Sequence, residues 1–245
     1  MALVVETKSL GEQVQEVLLA RILSGDYRPG ERLSPDQLKT EFGISITPVR
    51  DALHRLRQSG FVEVRPRTGV YVANLDAQRA SDVFDVRIAL EVLAARNAAE
   101  RISLEELERL RQRYQEADAI LAASEDEGVL EEIDTLLHEL LAEYSGNELL
   151  RNTLKTISYQ GAWVRTIAGK GARRYRRSFE EHKGILEALF RKDSAGAAKA
   201  MEAHLRNTKA TVVRHLKTSE LPKRSEAAGR ESSPQRKEVS ATCAS

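Results

Sequence analysis

The stretch that decides the fold spans residues 34–72 and reads SPDQLKTEFGISITPVRDALHRLRQSGFVEVRPRTGVYV. It begins with a helix signal, because Ser34 is a favourable N-cap residue and Pro35 fits the first helical position. Gly43 predicts the end of this short helix, and Gly60 predicts the end of the next one. That next helix carries apolar residues at helical spacing, namely Val49, Ala52, Leu53 and Leu56. The segment therefore predicts two consecutive helices joined by a short turn.

An alternation of apolar and polar residues follows the second of these helices. It occupies residues 61–65 and 70–72, and the PRTG sequence between them is typical of a turn. Upstream, residues 10–23 carry an apolar stripe at helical spacing. Three helices followed by a β-hairpin predict a winged helix-turn-helix. Its last helix would enter the major groove of DNA, and its hairpin would contact the backbone or the minor groove.

Positive charge is concentrated in the part of this segment that would face DNA. Residues 43–69 contain five arginines against two carboxylates, whereas the whole chain has a net charge of only +1. The near-neutral total excludes a uniformly basic scaffold for nucleic acid, so DNA contact is expected from this local patch. The alternative interpretation is an ordinary small helical domain with a solvated charged face.

Composition limits the remaining classes of protein. The chain has 245 residues, 41% of them hydrophobic, which is enough for two domains with buried cores. Its single cysteine, Cys243, excludes an intramolecular disulfide and a cysteine-based zinc site. Charged residues interrupt the N-terminal apolar run, and no stretch approaches the roughly 20 apolar residues that a membrane span needs. A cytoplasmic protein without membrane attachment is expected.

The hydrophobic pattern divides the chain into four segments. Residues 1–75 form the predicted winged helix-turn-helix domain, and residues 76–78 form a linker. Residues 79–218 show nearly continuous helical periodicity and predict an all-α bundle of about six helices. Residues 219–245 contain few large aliphatic side chains, so a disordered tail is predicted there. The predicted fold class is therefore mainly α.

Four ionisable side chains lie on apolar helix faces of the predicted bundle. Asp134 and His138, four residues apart, share one such face. His182 and His204 lie on the apolar faces of two later helices and are equally distant from Asp193, where the turn between these helices is predicted. Residues equidistant from the turn of an antiparallel helical hairpin lie side by side, so these two histidines should meet.

These four residues on apolar faces can be interpreted in two ways, and the first is that they share one metal site. Ionisable groups are costly to bury unless they are paired or bound to a metal. Three imidazoles and one carboxylate suit a divalent ion such as zinc or nickel, with room for water or ligand oxygens. Alternatively, each histidine is a core residue satisfied by a hydrogen bond, and the aspartate pairs with the histidine four residues later. The residues alone leave both interpretations open.

Arg87 is a candidate for binding an anion. It lies on the apolar face of the first helix of the bundle, and a guanidinium can hold a carboxylate through two hydrogen bonds. The alternative is an ion pair within the helix, formed with Glu91 one turn later.

Three stretches of the first domain resemble the DNA-binding domain of the GntR family. They are ILSGDYRPGERLS at residues 22–34, FGISITPVRDAL at 42–53 and RPRTGVYV at 65–72. The resemblance implies a dimer that binds a pseudo-palindromic operator in double-stranded DNA. The DNA-binding residues it implies are Ser45, Thr47, Arg50, Arg67 and Gly69. Ile46 and Asp36 stand where the family usually has arginine, so an altered operator sequence and a lower salt dependence are expected.

The second half resembles the effector domain of the FadR-type (FCD) branch of this family. The matching stretches are DTLLH at residues 134–138, EHKGILEA at 181–188 and MEAHL at 201–205. The metal ligands implied are Asp134, His138, His182 and His204. The resemblance also implies a homodimer, a metal that helps to hold a small carboxylate effector, and an arginine at the position of Arg87. Six helices in this half would place the chain closer to the VanR-like group.

The combined prediction is a ligand-responsive transcriptional regulator and not an enzyme. A small organic acid at a metal-centred pocket would change operator binding, with zinc as the expected metal and nickel as the alternative. Two other functions stay open: a metal-dependent hydrolase fused to a DNA-binding domain, and a regulator whose metal is only structural. Against the hydrolase, no nucleophile motif is evident, and Glu181 should project about 100° away from His182 on their helix.

Overall fold

The computed structural model describes residues 8–123, 128–169 and 172–218, and these parts of the chain are mainly helical. The helices are α1 (Leu10–Ser24), α2 (Pro35–Phe42), α3 (Ile46–Gln58), α4 (Ala77–Arg101), α5 (Leu104–Ala123), α6 (Gly128–Glu143), α7 (Glu148–Ala168), α8 (Ala172–Phe190) and α9 (Ser194–Thr218). The strands are β1 (Arg32–Leu33), β2 (Val62–Arg65) and β3 (Gly69–Val72). The prediction of a mainly α protein is confirmed.

Local capping sets the helix boundaries of the N-terminal domain. Ser9 and Glu12 form a capping box at α1, and the Ser34 side chain accepts a hydrogen bond from the Gln37 amide at α2. Gly43 ends α2 in the left-handed conformation, with φ of 65°, as expected from the sequence. Helix α3 follows after a short turn, which confirms the predicted helix-turn-helix.

The wing is a three-stranded antiparallel sheet with the order β1-β3-β2. The predicted hairpin is the β2-β3 pair, in which Val62 lies opposite Val72 and Arg65 lies opposite Gly69. Sequence analysis missed β1, because a strand of two residues shows no alternation. Gly69 adopts φ of 128°, a conformation that favours glycine at this position of the turn.

Within the described ranges, six helices follow the wing, α4 to α9, as expected from the sequence. Helix α4 begins at Ala77, so the last two residues of the predicted linker, 76–78, lie in its first turn. The helix begins early because the Asp76 carboxylate caps it by accepting a hydrogen bond from the Arg79 amide, 2.8 Å away. The disordered tail predicted for residues 219–245 lies outside the described residues.

Apolar side chains form two large cores. One lies inside the C-terminal bundle, and the other fills the winged helix and continues into α4, α7 and α9. At the junction, the ring of Phe61 packs against Trp163 with 5.6 Å between ring centroids. The two domains therefore share buried apolar surface. In the described parts of the chain, no helix combines the length and apolar character that crossing a bilayer requires.

Candidate metal centre and DNA interface

Three helices of the C-terminal bundle carry the four ionisable residues singled out above. Asp134 and His138 belong to α6, whose apolar face is buried, while His182 belongs to α8 and His204 to α9. Helices α8 and α9 meet at Asp193, whose carboxylate accepts a hydrogen bond from the backbone amide at the start of α9. The predicted meeting of the two histidines is confirmed, because their Nε2 atoms lie 3.2 Å apart.

The four side chains form one buried group, named here the His/Asp cluster: Asp134, His138, His182 and His204. One donor atom from each residue lies within 4.8 Å of the others. Asp134 Oδ1 is 3.6 Å from His182 Nε2, and the rings of His138 and His204 have centroids 5.4 Å apart. This convergence favours a shared centre over four unrelated core residues. Their role as metal ligands stays a prediction.

Each histidine of the cluster has a partner at its outer ring nitrogen. His138 Nδ1 bonds to the carboxylate of Glu91 on α4, and His204 Nδ1 lies 2.8 Å from Glu181 Oε2. His182 Nδ1 lies 3.0 Å from the hydroxyl of Tyr114 on α5. Because an ionised carboxylate only accepts hydrogen bonds, the two glutamates hold the proton on Nδ1 and leave the Nε2 lone pair facing the cluster. Such outer partners are typical of histidines that bind metals.

An unpartnered nitrogen tests whether these residues fit a metal. His138 Nε2 is buried and has no hydrogen-bond partner within the described ranges. A buried nitrogen without a partner costs free energy, and a lone pair aimed into a polar cluster is what a metal ligand supplies. Imidazole nitrogens with one carboxylate oxygen form a donor set suited to zinc or nickel. The residues present therefore fit a divalent ion.

Burial and neighbouring charges favour the protonation states that coordination needs. Burial, reinforced by the charge of His204, lowers the pKa of His182 well below its usual value. Burial also lowers the pKa of His204. At Asp134, burial acts to raise the pKa, but Arg165 and the histidines outweigh it and lower that pKa. Neutral imidazoles beside an ionised carboxylate are the forms that bind a divalent ion.

Arg87 is connected to the cluster through Glu91. Its Nε bonds to Glu91, the intrahelical pair that was one of the two interpretations of the sequence, and both side chains are buried. Burial acts to raise the pKa of Glu91, but the charges of Arg87 and His138 overcome it and lower the pKa to about 2. Arg87 Nη1, also buried, has no hydrogen-bond partner among the described residues. The guanidinium can therefore pair with Glu91 and still donate to an anion.

Sequence reasoning did not predict the contacts of four residues with the cluster: Glu91 and Glu181, which it considered in other roles, and Tyr114 and Arg165, whose Nη2 lies 3.6 Å from Asp134 Oδ2. Glu181 was expected to point away from His182, and it does, but α9 passes on that side, where Glu181 meets His204. The only sequence signal for the role of Glu91 was its position one helical turn after Arg87, on a helix with an apolar face. The others depend on contacts between helices distant in sequence.

Replacing Tyr114 by phenylalanine is expected to weaken zinc binding about 10- to 100-fold, because His182 loses its outer hydrogen bond while the packing volume is kept. Competition of the metal-stripped protein with a chromophoric chelator would measure this. The control is Tyr144→Phe, at a partly buried tyrosine on the edge of the same apolar core. Equal zinc affinity in wild type and Tyr114→Phe would contradict the positioning role of the hydroxyl.

The residues expected to contact DNA lie on the recognition helix and the wing. Ser45 caps α3 but makes no side-chain capping bond, so its hydroxyl is available to a phosphate. Thr47 and Arg50 are exposed in the first turns of α3, and Arg67 is exposed in the turn of the wing. Gly69 is half-buried at the start of β3. The structure thus presents all four side chains of this set to solvent on two adjacent elements.

Ion pairs distinguish the arginines of this surface. Arg55 Nε lies 3.0 Å from Asp51 Oδ2, and Arg65 pairs with an acid of its own strand. Arg50 and Arg67 form no ion pair with any residue that the structure describes. The charge count of the sequence therefore overstates the cations free to meet DNA, and the contact of Arg50 and Arg67 with DNA stays a prediction.

Two family profiles match the chain. The profile described as "Bacterial regulatory proteins, gntR family" matches residues 10–72, and that of the FCD domain matches residues 82–207, about half of the chain. The chain is an FCD-type member of the GntR family. As a GntR-family protein it is a DNA-binding transcriptional regulator, which confirms the predicted class.

Relatives and solved structures agree with this family. The "Uncharacterized HTH-type transcriptional regulator YdhC" of Bacillus subtilis is 30% identical over 193 residues, which are 78% of this chain and 86% of that protein. The structure of Escherichia coli McbR/YncC has a TM-score of 0.70 at 22% identity, covers 85% of this chain and 99% of its own, and shows the same fold. The metal-free FCD domain of TM0439 has a TM-score of 0.51 at 27% identity over 60% of this chain and 99% of its own.

Proposed function

We propose that this GntR-family regulator holds one divalent metal, zinc or alternatively nickel, at its His/Asp cluster. A small carboxylate effector binds beside that cluster and changes the affinity of the winged helix for a pseudo-palindromic operator. In this proposal residues 1–75 bind DNA in the cytoplasm, and residues 79–218 bind the effector and dimerise. When bound, the metal supplies a positive centre that accepts carboxylate oxygens as additional ligands.

The observation that carries this proposal is the orientation of the three imidazoles. Their Nδ1 atoms are occupied by Glu91, Tyr114 and Glu181, the Nε2 atoms of His182 and His204 face each other, and the buried Nε2 of His138 has no partner among the described residues. Core histidines with separate structural roles have no reason to share this orientation. The same contacts speak against the hydrolase, since the two glutamates beside the cluster already accept hydrogen bonds from its histidines and neither is free as a general base.

Arg87 is the residue we assign to the effector carboxylate. Its Nη1 is buried without a partner within the described residues, and Glu91 orients the guanidinium through Nε. A planar guanidinium matches a carboxylate through two parallel hydrogen bonds, which a lysine cannot provide. The effector would therefore satisfy a donor that is otherwise buried and unpaired.

A homodimer is proposed because a pseudo-palindromic operator presents two half-sites to two winged helices. Helix α4 offers a surface for this contact. Val86 and Leu93, seven residues apart and therefore on one face, are 47% and 41% exposed. Large apolar side chains exposed two turns apart on one face of a helix suit an interface between subunits.

A screen of small carboxylic acids for release of operator DNA from the metal-loaded protein tests the proposal. We expect at least one acid to lower operator affinity, and Arg87→Lys to require about 10- to 100-fold more of that acid, because a charge-assisted hydrogen bond is lost. Fluorescence anisotropy of an operator fragment selected from random DNA would measure both.

The matched control for that screen is Arg96→Lys, at an exposed arginine of the same helix. Metal content should be unchanged in both variants. If no acid affects DNA binding and metal removal lowers only the thermal stability, the metal is purely structural and the proposal fails.

A further inference from the structure

The middle of α7 contacts the residues around the His/Asp cluster on one side. Arg165 Nη2 lies 3.6 Å from Asp134 Oδ2, and most of the Arg165 side chain is buried. One turn earlier, Gly161 allows the backbone of α7 to approach Arg87 so closely that an added Cβ would lie 3.0 Å from Nη1. Helix α7 is thus in direct contact with a candidate metal ligand and with the candidate effector arginine.

The same part of α7 contacts the winged helix on its other side. Gln160 Nε2 donates a hydrogen bond of 2.7 Å to the backbone carbonyl of Ser59, the C-cap residue of the recognition helix α3. Trp163 packs against Phe61, which precedes strand β2, and both side chains are almost fully buried. These contacts lie at the junction between the recognition helix and the wing, the two elements expected to bind DNA.

The junction is closely fitted around Gly60. Arg79, from the first turn of α4, bonds to the Gly60 carbonyl and lies over the Trp163 ring, with 5.9 Å between Cζ and the centroid. Gly60 adopts φ of 80°, and an added Cβ would lie 2.9 Å from Gln160 Nε2. The end of α3 therefore cannot move relative to α7 without breaking these contacts.

One buried group at the junction is unsatisfied. Trp163 Nε1 is buried and has no hydrogen-bond partner among the described residues. A buried donor without a partner disfavours the arrangement that contains it. The observed packing of the two domains therefore includes the free-energy cost of an unpaired donor. An arrangement in which water reaches Trp163 Nε1 would remove that cost.

We propose that residues 160–165 of α7, the α7 segment, couple the His/Asp cluster to the DNA-binding domain, with Arg165 and Gly161 sensing the cluster and Gln160 and Trp163 positioning the winged helix. The inference rests on the proposed function and adds its route of regulation. The segment spans only about 7.5 Å along a continuous helix, so a displacement at one end is transmitted to the other.

Occupation of the cluster changes the contacts of Asp134 and Arg87, and with them the contacts that Arg165 and Gly161 of α7 make with these two residues. The position of α7 then differs between the empty and the occupied states. Gln160 and Trp163 carry that difference to Ser59 and the adjoining recognition helix. This satisfies the requirement that a ligand stabilise one arrangement of the domains over another.

The tryptophan offers a direct test, because Trp163 is the only one in the chain. Zinc chloride is added to the metal-stripped, full-length protein, since zinc has a filled d shell and is a suitable spectroscopically silent probe. We expect the emission of Trp163 to change and to saturate at one zinc per chain. Hydrogen exchange at the Phe61 amide, which bonds to the Leu56 carbonyl in this structure, should change in parallel.

Two variants interrupt the segment at opposite ends. Arg165→Met leaves the four candidate ligands intact and should still take up zinc, while the emission change falls by more than half. Gln160→Leu acts downstream, so it should keep the emission change but lose most of the exchange response at Phe61. Arg151→Met is the control, because Arg151 is an exposed residue of the same helix, paired with Glu143 and outside the α7 segment.

The outcomes separate this inference from the function on which it rests. Zinc uptake by the wild type without a change in emission or exchange overturns the coupling and leaves the metal site standing. A full wild-type response in both Arg165→Met and Gln160→Leu overturns it as well. No zinc uptake by the wild type, measured by elemental analysis, overturns the proposed metal centre and the coupling together.

Discussion

His204→Ala protein is expected to be isolated without metal, whereas the wild type carries about one zinc or nickel per chain. The substitution removes a buried imidazole whose Nε2 lies 3.2 Å from that of His182, and with it one of the four candidate ligands. Loss of one of four protein ligands weakens binding, so the ion is not expected to stay bound through purification. Elemental mass spectrometry of both proteins, purified without chelator, measures the effect.

Thermal unfolding gives an independent measure of the same site. A ligand at 100 times its dissociation constant stabilises a protein by about 2.7 kcal/mol, which for a chain of this size raises the melting temperature by about 5–10 °C. Added zinc should produce this shift in the wild type and not in His204→Ala. His215→Ala is the control, since His215 is exposed on the same helix and should behave as the wild type.

Two further comparisons keep this prediction testable if the alanine variant folds poorly. Asp134→Asn preserves the shape of the side chain but lowers its charge, so it should also lose most of the bound metal. Wild-type protein that contains no metal and takes up none on addition would disprove the metal centre. The assignment to the GntR family would be unaffected, because it rests on profile matches over residues 10–72 and 82–207.

Arg50→Ala is expected to weaken operator binding by about 10- to 100-fold. Arg50 is exposed on the recognition helix and free of ion pairs with described residues, so its guanidinium is available to a guanine or a phosphate. Loss of such a contact costs about 1–3 kcal/mol. Anisotropy titration with the selected operator at two salt concentrations would measure the change.

The salt dependence shows which kind of contact is lost. A phosphate contact predicts that the slope of log affinity against log salt falls by about 1, whereas a base contact predicts relaxed sequence preference with the slope retained. Arg191→Ala, at an exposed arginine next to the turn between α8 and α9, serves as the control. Unchanged operator affinity in Arg50→Ala would exclude the proposed docking of α3 in the major groove.

Short-range signals made much of the fold predictable. Ser34 sets the start of α2 and Gly43 sets its end, each through hydrogen bonds to residues only a few positions away. Both residues can be recognised in the sequence. The meeting of His182 and His204 was also predictable, because an antiparallel hairpin converts equal distance from Asp193 into spatial proximity. In both cases a single local geometry, the helix cap or the helical hairpin, determines the feature that was predicted.

The parts that were missed depend on the packing of elements distant in sequence. Glu91 and His138 are 47 residues apart, and Tyr114 and His182 are 68 apart, so helical periodicity places each on a buried face but cannot say which faces meet. The docking of Gln160 on Ser59, 101 residues away, has the same origin. Strand β1 was missed because two residues are too few for any periodicity.

The shared core at the domain junction limits how this regulator can be recombined with others. The winged helix completes its interior with Trp163, Val164 and Val212, which belong to the effector half. A chimera that joins the DNA-binding domain of another regulator to residues 79–218 would pack these side chains against a surface that did not evolve with them. Chimeras built from this chain should therefore exchange the DNA-binding domain together with the residues of α7 and α9 that pack against it. The part that can be exchanged as a unit is thus larger than the domain.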